Sequence, residues 1–483
     1  MLPVFFLFAH FLGVMSLAYV LPALAAIIAG ETALAPPFIL TGTLGVFVAG
    51  AFIFALRGHE QRLKAHQRYL LAFLLFALLP AFGCIPIMLA IPGTSAIDAY
   101  FEAVSALTTT GSTLLPRYEQ LPDTIIFWRC LMEWIGGGLT LLVAVLVLGP
   151  AGVGGLPPSD ARIIEHGGEN ERHRLNDTLG ELLPLYFSLT FACFACLLVV
   201  GAPAFDALCL AFSALSTGGF VGRGGDFTTY LPMAGTWIYA LFMLVGASSI
   251  LWLRSLTQGR WHRIRDYREF YWLAGITAAV GVWIAAILYE ASGGGLWVAM
   301  TDGFATAASL VSTTAVESRH GSFALLPFVA VIMILLVGGS GFSTAGGLKL
   351  FRVGAMSVQA YRELNRLVYP HGVRRARFGS QTYDMQMMKA IWSAMTATLL
   401  VLSACIAGLT AGGFGFEDAL LLSIASFSNA GPAYQASVID TNDFVAIGTL
   451  GDPDKLLLAF VMVVGRVEVI AILSLLSPST WRR

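Results

Sequence analysis

Asp98-Ala-Tyr-Phe-Glu-Ala-Val-Ser-Ala-Leu-Thr-Thr-Thr-Gly111 decides how this chain is read, because it returns without a gap as Asp206-Ala-Leu-Cys-Leu-Ala-Phe-Ser-Ala-Leu-Ser-Thr-Gly-Gly219. Two looser copies follow. Asp302 leads through Ser309 and Ser312-Thr313-Thr314 to Ala315, and Asp418 leads through Ser426-Phe427-Ser428-Asn429-Ala430 to Gly431. In every copy the thirteenth residue after the aspartate is Gly or Ala, and Thr or Ser stands three positions before it (Thr108, Ser216, Ser312, Ser428). Self-similarity at matched positions is the mark of a repeated structural unit.

The copies lie between apolar stretches. Hydrophobic residues make up 57% of the 483 positions and charged ones 12%, against about 45–50% and about 25% in soluble domains, so lipid is the main solvent. Stretches of membrane-spanning length recur at 4–29, 38–56, 69–91, 124–149, 182–202, 232–253, 269–289, 323–337, 390–411 and 456–477. The first has no basic flank and no cleavage site, and is expected to be a retained helix rather than a signal peptide. Each Asp-led copy sits between two spans, so the unit is helix, short re-entrant helix with an extended segment, helix. Four units use eight spans, and the pair 4–29 and 38–56 stands outside them. The expected fold is therefore an all-α polytopic membrane protein, with four helix/pore-loop/helix repeats in a pseudo-fourfold array around one pore and two extra N-terminal transmembrane helices.

The ten or so residues after each aspartate are helix-compatible but too few to cross a bilayer. Asp at their start is expected to cap the helix and favour its positive end. The Thr/Ser/Gly stretch that follows would be extended backbone at membrane depth, tolerated only where it is buried in protein or lines water. Four such stretches around an axis would offer rings of carbonyl oxygens, which can replace the hydration shell of a monovalent cation without trapping it. Glycine would let the backbone turn its carbonyls inward. The candidate ion-binding residues are thus Thr109, Thr110 and Gly111; Thr217, Gly218 and Gly219; Thr313, Thr314 and Ala315; and Asn429, Ala430 and Gly431, with potassium or a similar monovalent cation as the metal they would hold.

Charge supplies an orientation. Segments 57–68, 150–181, 254–268, 348–389 and the pair Arg482-Arg483 hold 22 of the 28 Lys and Arg and should be cytoplasmic, together with both termini. The remaining connections carry 15 acidic residues against Arg117, Arg223, Arg319 and Lys455. A cation arriving from outside would meet a negative surface.

One span is interrupted. After 323–337 the chain runs Gly338-Gly-Ser-Gly-Phe-Ser-Thr-Ala-Gly-Gly347, and five glycines in ten residues cannot hold a continuous helix. The break falls past the midplane, below the filter, where a flexible polar loop can obstruct a pore. Arg466 lies deep in the last span, at an insertion cost of roughly 2.5–3.5 kcal/mol that marks function by default. Glu468, two positions on, points to nearly the opposite helix face and is a poor partner for it. Arg129 and Glu133, four apart, can pair along one face and are read as structural. Cys193 and Cys196 form a CxxC inside a span and are assigned to packing, and the histidines show no ligand spacing. No phosphate-binding glycine motif is present, and no clustered carboxylates or activated nucleophile that an enzyme would need.

Taken together, Thr108-Thr-Thr-Gly111-Ser, Leu215-Ser-Thr-Gly-Gly219-Phe, Asn429-Ala-Gly431-Pro432, Glu133-Trp-Ile-Gly-Gly-Gly138, Gly152-Val-Gly-Gly155, Gly346-Gly-Leu-Lys349 and Gly465-Arg466-Val-Glu468 resemble the Trk/Ktr/HKT superfamily of cation transporters, and within it the TrkH/TrkG-like potassium-uptake subunits. The resemblance covers nearly the whole chain. It implies a single-subunit pore with one filter, a homodimer with a pore in each protomer, a bacterial inner (plasma) membrane location, and a cytoplasmic TrkA-like nucleotide-binding subunit that controls opening. It also implies that Gly338, Gly339, Ser340, Gly341, Ser343, Thr344, Gly346 and Gly347 form an intramembrane gate loop, with Arg466 facing the pore beside it. Domain boundaries then fall at 1–57 for the N-terminal helix pair, 58–155, 156–260, 261–372 with the gate loop, and 373–483 for the four pore repeats.

The third segment departs from the family's pattern, which has glycine where this chain has Ala315, and weaker discrimination between potassium and sodium is expected. The reading is channel-like transport of potassium, with no cofactor bound by the chain, lipid as its surroundings and no nucleic acid. The pore subunit of an ATP-driven pump and a Na⁺- or H⁺-coupled symporter share its sequence features.

Overall fold

The computed structural model describes residues 1–58, 63–115, 121–148, 171–223, 227–259, 267–292, 295–319, 321–368, 377–378, 381–382, 385–437 and 447–476. Charge-free runs rich in Leu, Ala and Phe become helices because a helix satisfies its own backbone groups, which lipid cannot do. Among the described residues seven helices are long and apolar enough to cross a membrane, and two bent pairs add to them. The chain is a multi-pass membrane protein.

Helix α1 (Leu2–Ala18), continued by α2 (Val20–Ile28), packs along α3 (Ala35–Ala55). The contact is close because Gly42 and Gly45 present no side chain: a methyl on Gly42 would stand 3.1 Å from the Ser16 carbonyl oxygen. The rest of the chain repeats one order of elements. A long helix comes first: α4 (Ala65–Ala90), α7 (Glu171–Val199), α11 (Arg268–Ser292) or α15 (Met385–Ala411). A short buried helix follows: α5 (Ala96–Leu107), α8 (Ala204–Ser216), α12 (Leu296–Val311) or α16 (Phe416–Phe427). A second apolar helix closes each set: α6 (Asp123–Val143), α9 (Met233–Ala247), α13 (Phe328–Val337) or α18 (Asp452–Val467), the last reached through the short α17 (Pro432–Ser437).

Packing among these sets is cyclic. Each long first helix lies on its own short helix, and each second helix lies on the short helix of the next set: α6 on α8, α9 on α12, α13 on α16, and α18 back on α5. Glycine permits the approach, since a methyl on Gly303 of α12 would stand 2.6 Å from the Ala285 nitrogen of α11.

Three details differ from the sequence reading. The short helices are not capped by their aspartates. Ser95 caps α5, its hydroxyl accepting from the Asp98 N–H at 3.0 Å, while Asp98, Asp206 and Asp418 lie in the first turn and Asp302 one turn further in. The stretch 323–337 is helical only from Phe328, and 232–253 and 456–477 are not straight spans. Helix α9 turns by 107° into α10 (Ile250–Thr257), and α18 turns by 106° at Glu468 into α19 (Val469–Leu476). In the first set, α6 passes into a π-helical stretch at Ala144–Leu148. Beyond the glycine-rich segment 338–347, α14 (Leu350–Val368) leads to the only strands among the described residues, β1 (Arg377–Phe378) and β2 (Gln381–Thr382), paired antiparallel.

Candidate ion pathway

The four Asp-led copies place the same backbone event at the same position. Eleven residues after each aspartate the chain enters the left-handed region: Thr109 at φ +52°, Thr217 at +54°, Thr313 at +62° and Asn429 at +50°. Three of these are β-branched, and left-handed backbone costs such a residue about 1–2 kcal/mol, so the surrounding packing must hold it there. The turn also ends each short helix in the same way. The amide one residue on donates to a carbonyl in the last helical turn, Thr110 to Ser105 at 2.8 Å, Gly218 to Ser213 at 3.3 Å and Ala430 to Ala425 at 2.8 Å. In the third copy the bond moves one residue along, from Ala315 to Ser309 at 3.0 Å.

All twelve candidate filter residues are buried, and the structure brings them together. The Gly431 amide donates to the Thr110 carbonyl at 2.6 Å, and the Asn429 side-chain amide donates to the Thr110 hydroxyl at 2.9 Å. A methyl on Gly111 would run into the Gly218 carbonyl oxygen, and one on Gly219 would stand 2.5 Å from that of Thr314. Segments four, one, two and three therefore touch in order. Gly111 and Gly219 are left-handed at φ +75° and +99°, as the need for glycine anticipates, whereas Gly431 is not. Its glycine answers to space, because a methyl there would strike Ser112. Ala315 occupies the left-handed region at φ +56° despite its side chain.

The aspartates tie the segments' outer ends. Asp206 accepts from the Arg223 amide at 3.0 Å, Asp302 pairs with Arg319 at 3.0 Å, Asp418 accepts from the Tyr434 hydroxyl at 3.0 Å, and Asp98 pairs with Lys455 at 2.5 Å. Arg223 also pairs with Asp123. Arg223, Arg319 and Lys455 are thus matched by carboxylates; Arg117 lies outside the described residues.

The glycine-rich segment 338–347 lies against these four segments and is buried throughout. Its geometry explains the bend in α9. The carbonyls of Gly246 and Ala247, freed at the helix end, accept from the Thr344 amide at 3.3 Å and the Ser340 amide at 3.0 Å, while the first amide of α10, at Ile250, donates to Phe342 at 3.0 Å. The segment is a cap for its neighbour. The Gly339 carbonyl accepts from Leu350 at 2.9 Å, the Ser343 hydroxyl donates to Ser340 at 2.6 Å, and the Gly341 amide donates to Glu269 at 2.7 Å. Gly338 and Gly347, both left-handed, pack on one another where a methyl on either would intrude. Towards the four segments, the Gly346 amide donates to the Thr313 hydroxyl at 2.7 Å, and the Thr344 hydroxyl donates to the Leu215 carbonyl at 2.9 Å.

Arg466 joins the two parts. Its Nε donates to the Thr108 carbonyl and its Nη1 to the Thr344 carbonyl, both at 2.5 Å, and Nη2 is buried without a hydrogen-bond partner. Glu468, at the bend that ends α18, pairs with Arg352 at 2.5 Å rather than with Arg466. Glu269 and Arg352 were not singled out in the sequence; each is one charge among many flanking a basic loop, with nothing in its spacing to show what it touches. Arg129 pairs with Glu102 at 3.1 Å, and Glu133 accepts from the Phe220 amide at 3.0 Å.

The profile of the TrkH cation transport proteins matches residues 36–313 and 323–482. The chain belongs to the TrkH family. As a member of this transport family it is a transporter rather than an enzyme. It is 29% identical over 98% of its length to the Trk system potassium uptake protein TrkH of Vibrio parahaemolyticus, covering 97% of that chain, and 28% identical over 96% of its length to the TrkH of Salmonella typhimurium, covering 95%. The crystal structure of the potassium transporter TrkH from Vibrio parahaemolyticus superposes with a TM-score of 0.88 at 27% identity, covering all of this chain and 99% of that one.

Proposed function

We propose that this TrkH-family chain carries potassium across the membrane through the ring formed by Thr109–Gly111, Thr217–Gly219, Thr313–Ala315 and Asn429–Gly431, and that segment 338–347 with Arg466 closes the path. The observation that carries the reading is the contact of four buried segments in the order four, one, two, three inside a cyclic packing of helices, each segment with a left-handed residue at the same position. Relatives named as potassium uptake proteins supply the ion. Backbone carbonyls suit potassium because they replace its water shell with dipoles and add no net charge.

In this reading the domains are the N-terminal helix pair 1–57 and the repeats 58–155, 156–260, 261–372 and 373–483. The basic segments face the cytoplasm, both termini with them, in a bacterial inner membrane. A second copy would complete a homodimer, and a TrkA-like nucleotide-binding subunit would act on the gate from the cytoplasmic side.

The deciding measurement is uptake of potassium or rubidium by cells lacking their own potassium importers, repeated with sodium in excess. Uptake restored by the chain supports the reading, and failure to carry either ion ends it. Ala315→Gly is expected to raise potassium over sodium discrimination by about fivefold. Removing the methyl releases about 1 kcal/mol of left-handed strain, which lets the third segment settle to the shape of the first two. Equal permeability ratios for the two proteins would remove the role of Ala315.

A further inference from the structure

The four segments are clamped differently: the first and third share one clamp, the fourth has Ala425 and Pro432 in the corresponding places, and the second is held from another set. In the first, the Ser105 hydroxyl donates to the Ser112 carbonyl at 2.7 Å; in the third, Ser309 donates to Val316 at 2.6 Å. Both serines lie seven residues after the aspartate and hold the residue fourteen after it. Ser213 occupies the same place in the second copy but accepts from the Gly219 amide at 3.1 Å and from the Tyr239 hydroxyl at 3.3 Å. The residue fourteen after Asp206 is Phe220, and its amide goes to Glu133 Oε1 at 3.0 Å.

Glu133 comes from α6, in the preceding set, and is wholly buried. Its side chain lies so close behind the segment that a methyl on Gly218 would overlap its carboxylate. Oε2 is buried without a hydrogen-bond partner. The bond also differs in kind, since the serines of the first and third copies donate to a carbonyl whereas Glu133 accepts from an amide. What the side chain adds is an acceptor carried by a different set, so the second segment is held from α6 as well as from its own helix. The Phe220 ring is held as well, with the Arg129 guanidinium 4.0 Å above it. Phe220 is thereby fixed at both its amide and its ring.

We infer that Glu133 is a positioning residue for ion selectivity: through the Phe220 amide and the face of Gly218 it sets where the second filter segment holds its carbonyls. The inference rests on the reading of these segments as the filter.

The test uses the purified full chain in proteoliposomes and compares potassium, rubidium and sodium permeability. Glu133→Gln keeps an oxygen acceptor and is expected to retain the wild-type ratios within about twofold. Glu133→Met keeps the volume but loses the acceptor; its potassium-to-sodium ratio is expected to fall about tenfold while total monovalent flux persists. A role confined to stability would lower the thermal transition of the Met protein and leave its ratio at the wild-type value, which would overturn the inference. Should Glu133→Met fail to fold, replacing the amide at residue 220 by an ester removes the donor and no side chain; a lowered ratio then supports the inference, and a wild-type ratio overturns it. Wild-type protein that carries no monovalent cation would instead sink the pathway itself.

Discussion

Arg466→Ala is expected to raise rubidium flux through the isolated subunit by about tenfold or more. Among the described residues Arg466 is the one side chain that bonds to both the end of the first short helix, at Thr108, and the glycine-rich segment, at Thr344. Each bond from a charged donor contributes about 1.5–3 kcal/mol. If opening breaks only the bond to Thr344, losing it in advance shifts the closed-to-open balance by at least the 1.4 kcal/mol that corresponds to a factor of ten. The fixed positive charge also leaves the path, which lowers the barrier to a cation further. Two carbonyls as partners, with Glu468 committed to Arg352, are what a latch needs and a static ion pair does not. Tracer uptake into proteoliposomes, with protein content matched, measures the effect. Unchanged flux would leave Arg466 as a structural residue only.

The repeat was legible because it rests on composition and spacing: an aspartate, an apolar run of helical length, then Thr, Ser and Gly at fixed offsets. The left-handed turn within it was not. Thr is among the residues least suited to positive φ, so Thr109, Thr217 and Thr313 gave no local sign of it, and only the neighbouring segments impose it. The break after α13 could be read from its five glycines. The bends of α9 and α18 could not, since Ser248, Ser249 and Glu468 are unremarkable helix residues. In α9 the bend exists because segment 338–347, distant in sequence, supplies amides that donate to its freed carbonyls. Glu133 was read as half of a pair within one helix for the same reason. Spacing of four predicts a neighbour along a helix, but it is blind to the Phe220 amide brought in by the next set.

Gly111→Ala is expected to be far more damaging than the same methyl group is at position 315. Both positions stand thirteen residues after their aspartates and both are left-handed. At Ala315 the side chain is native to the fold, and the third segment has shifted its turn-closing bond to that residue's own amide. At Gly111 the added methyl meets the Gly218 carbonyl oxygen, a backbone atom of the adjoining segment, with Pro432 pressing from the fourth at 3.2 Å. Neither neighbour is a flexible side-chain end that could swing away. The strain of about 1–2 kcal/mol from the backbone is then joined by an overlap that only a movement of the ring can relieve. A ring that moves loses the match between its carbonyls and a bare potassium ion, and potassium uptake is expected to fall by an order of magnitude or more, with the potassium-to-sodium ratio falling alongside it. Thermal stability should drop by a smaller amount, because the overlap is confined to one contact between segments. If Gly111→Ala instead kept both uptake and ratio, the contact of Gly111 with Gly218 would have no part in shaping the ion path.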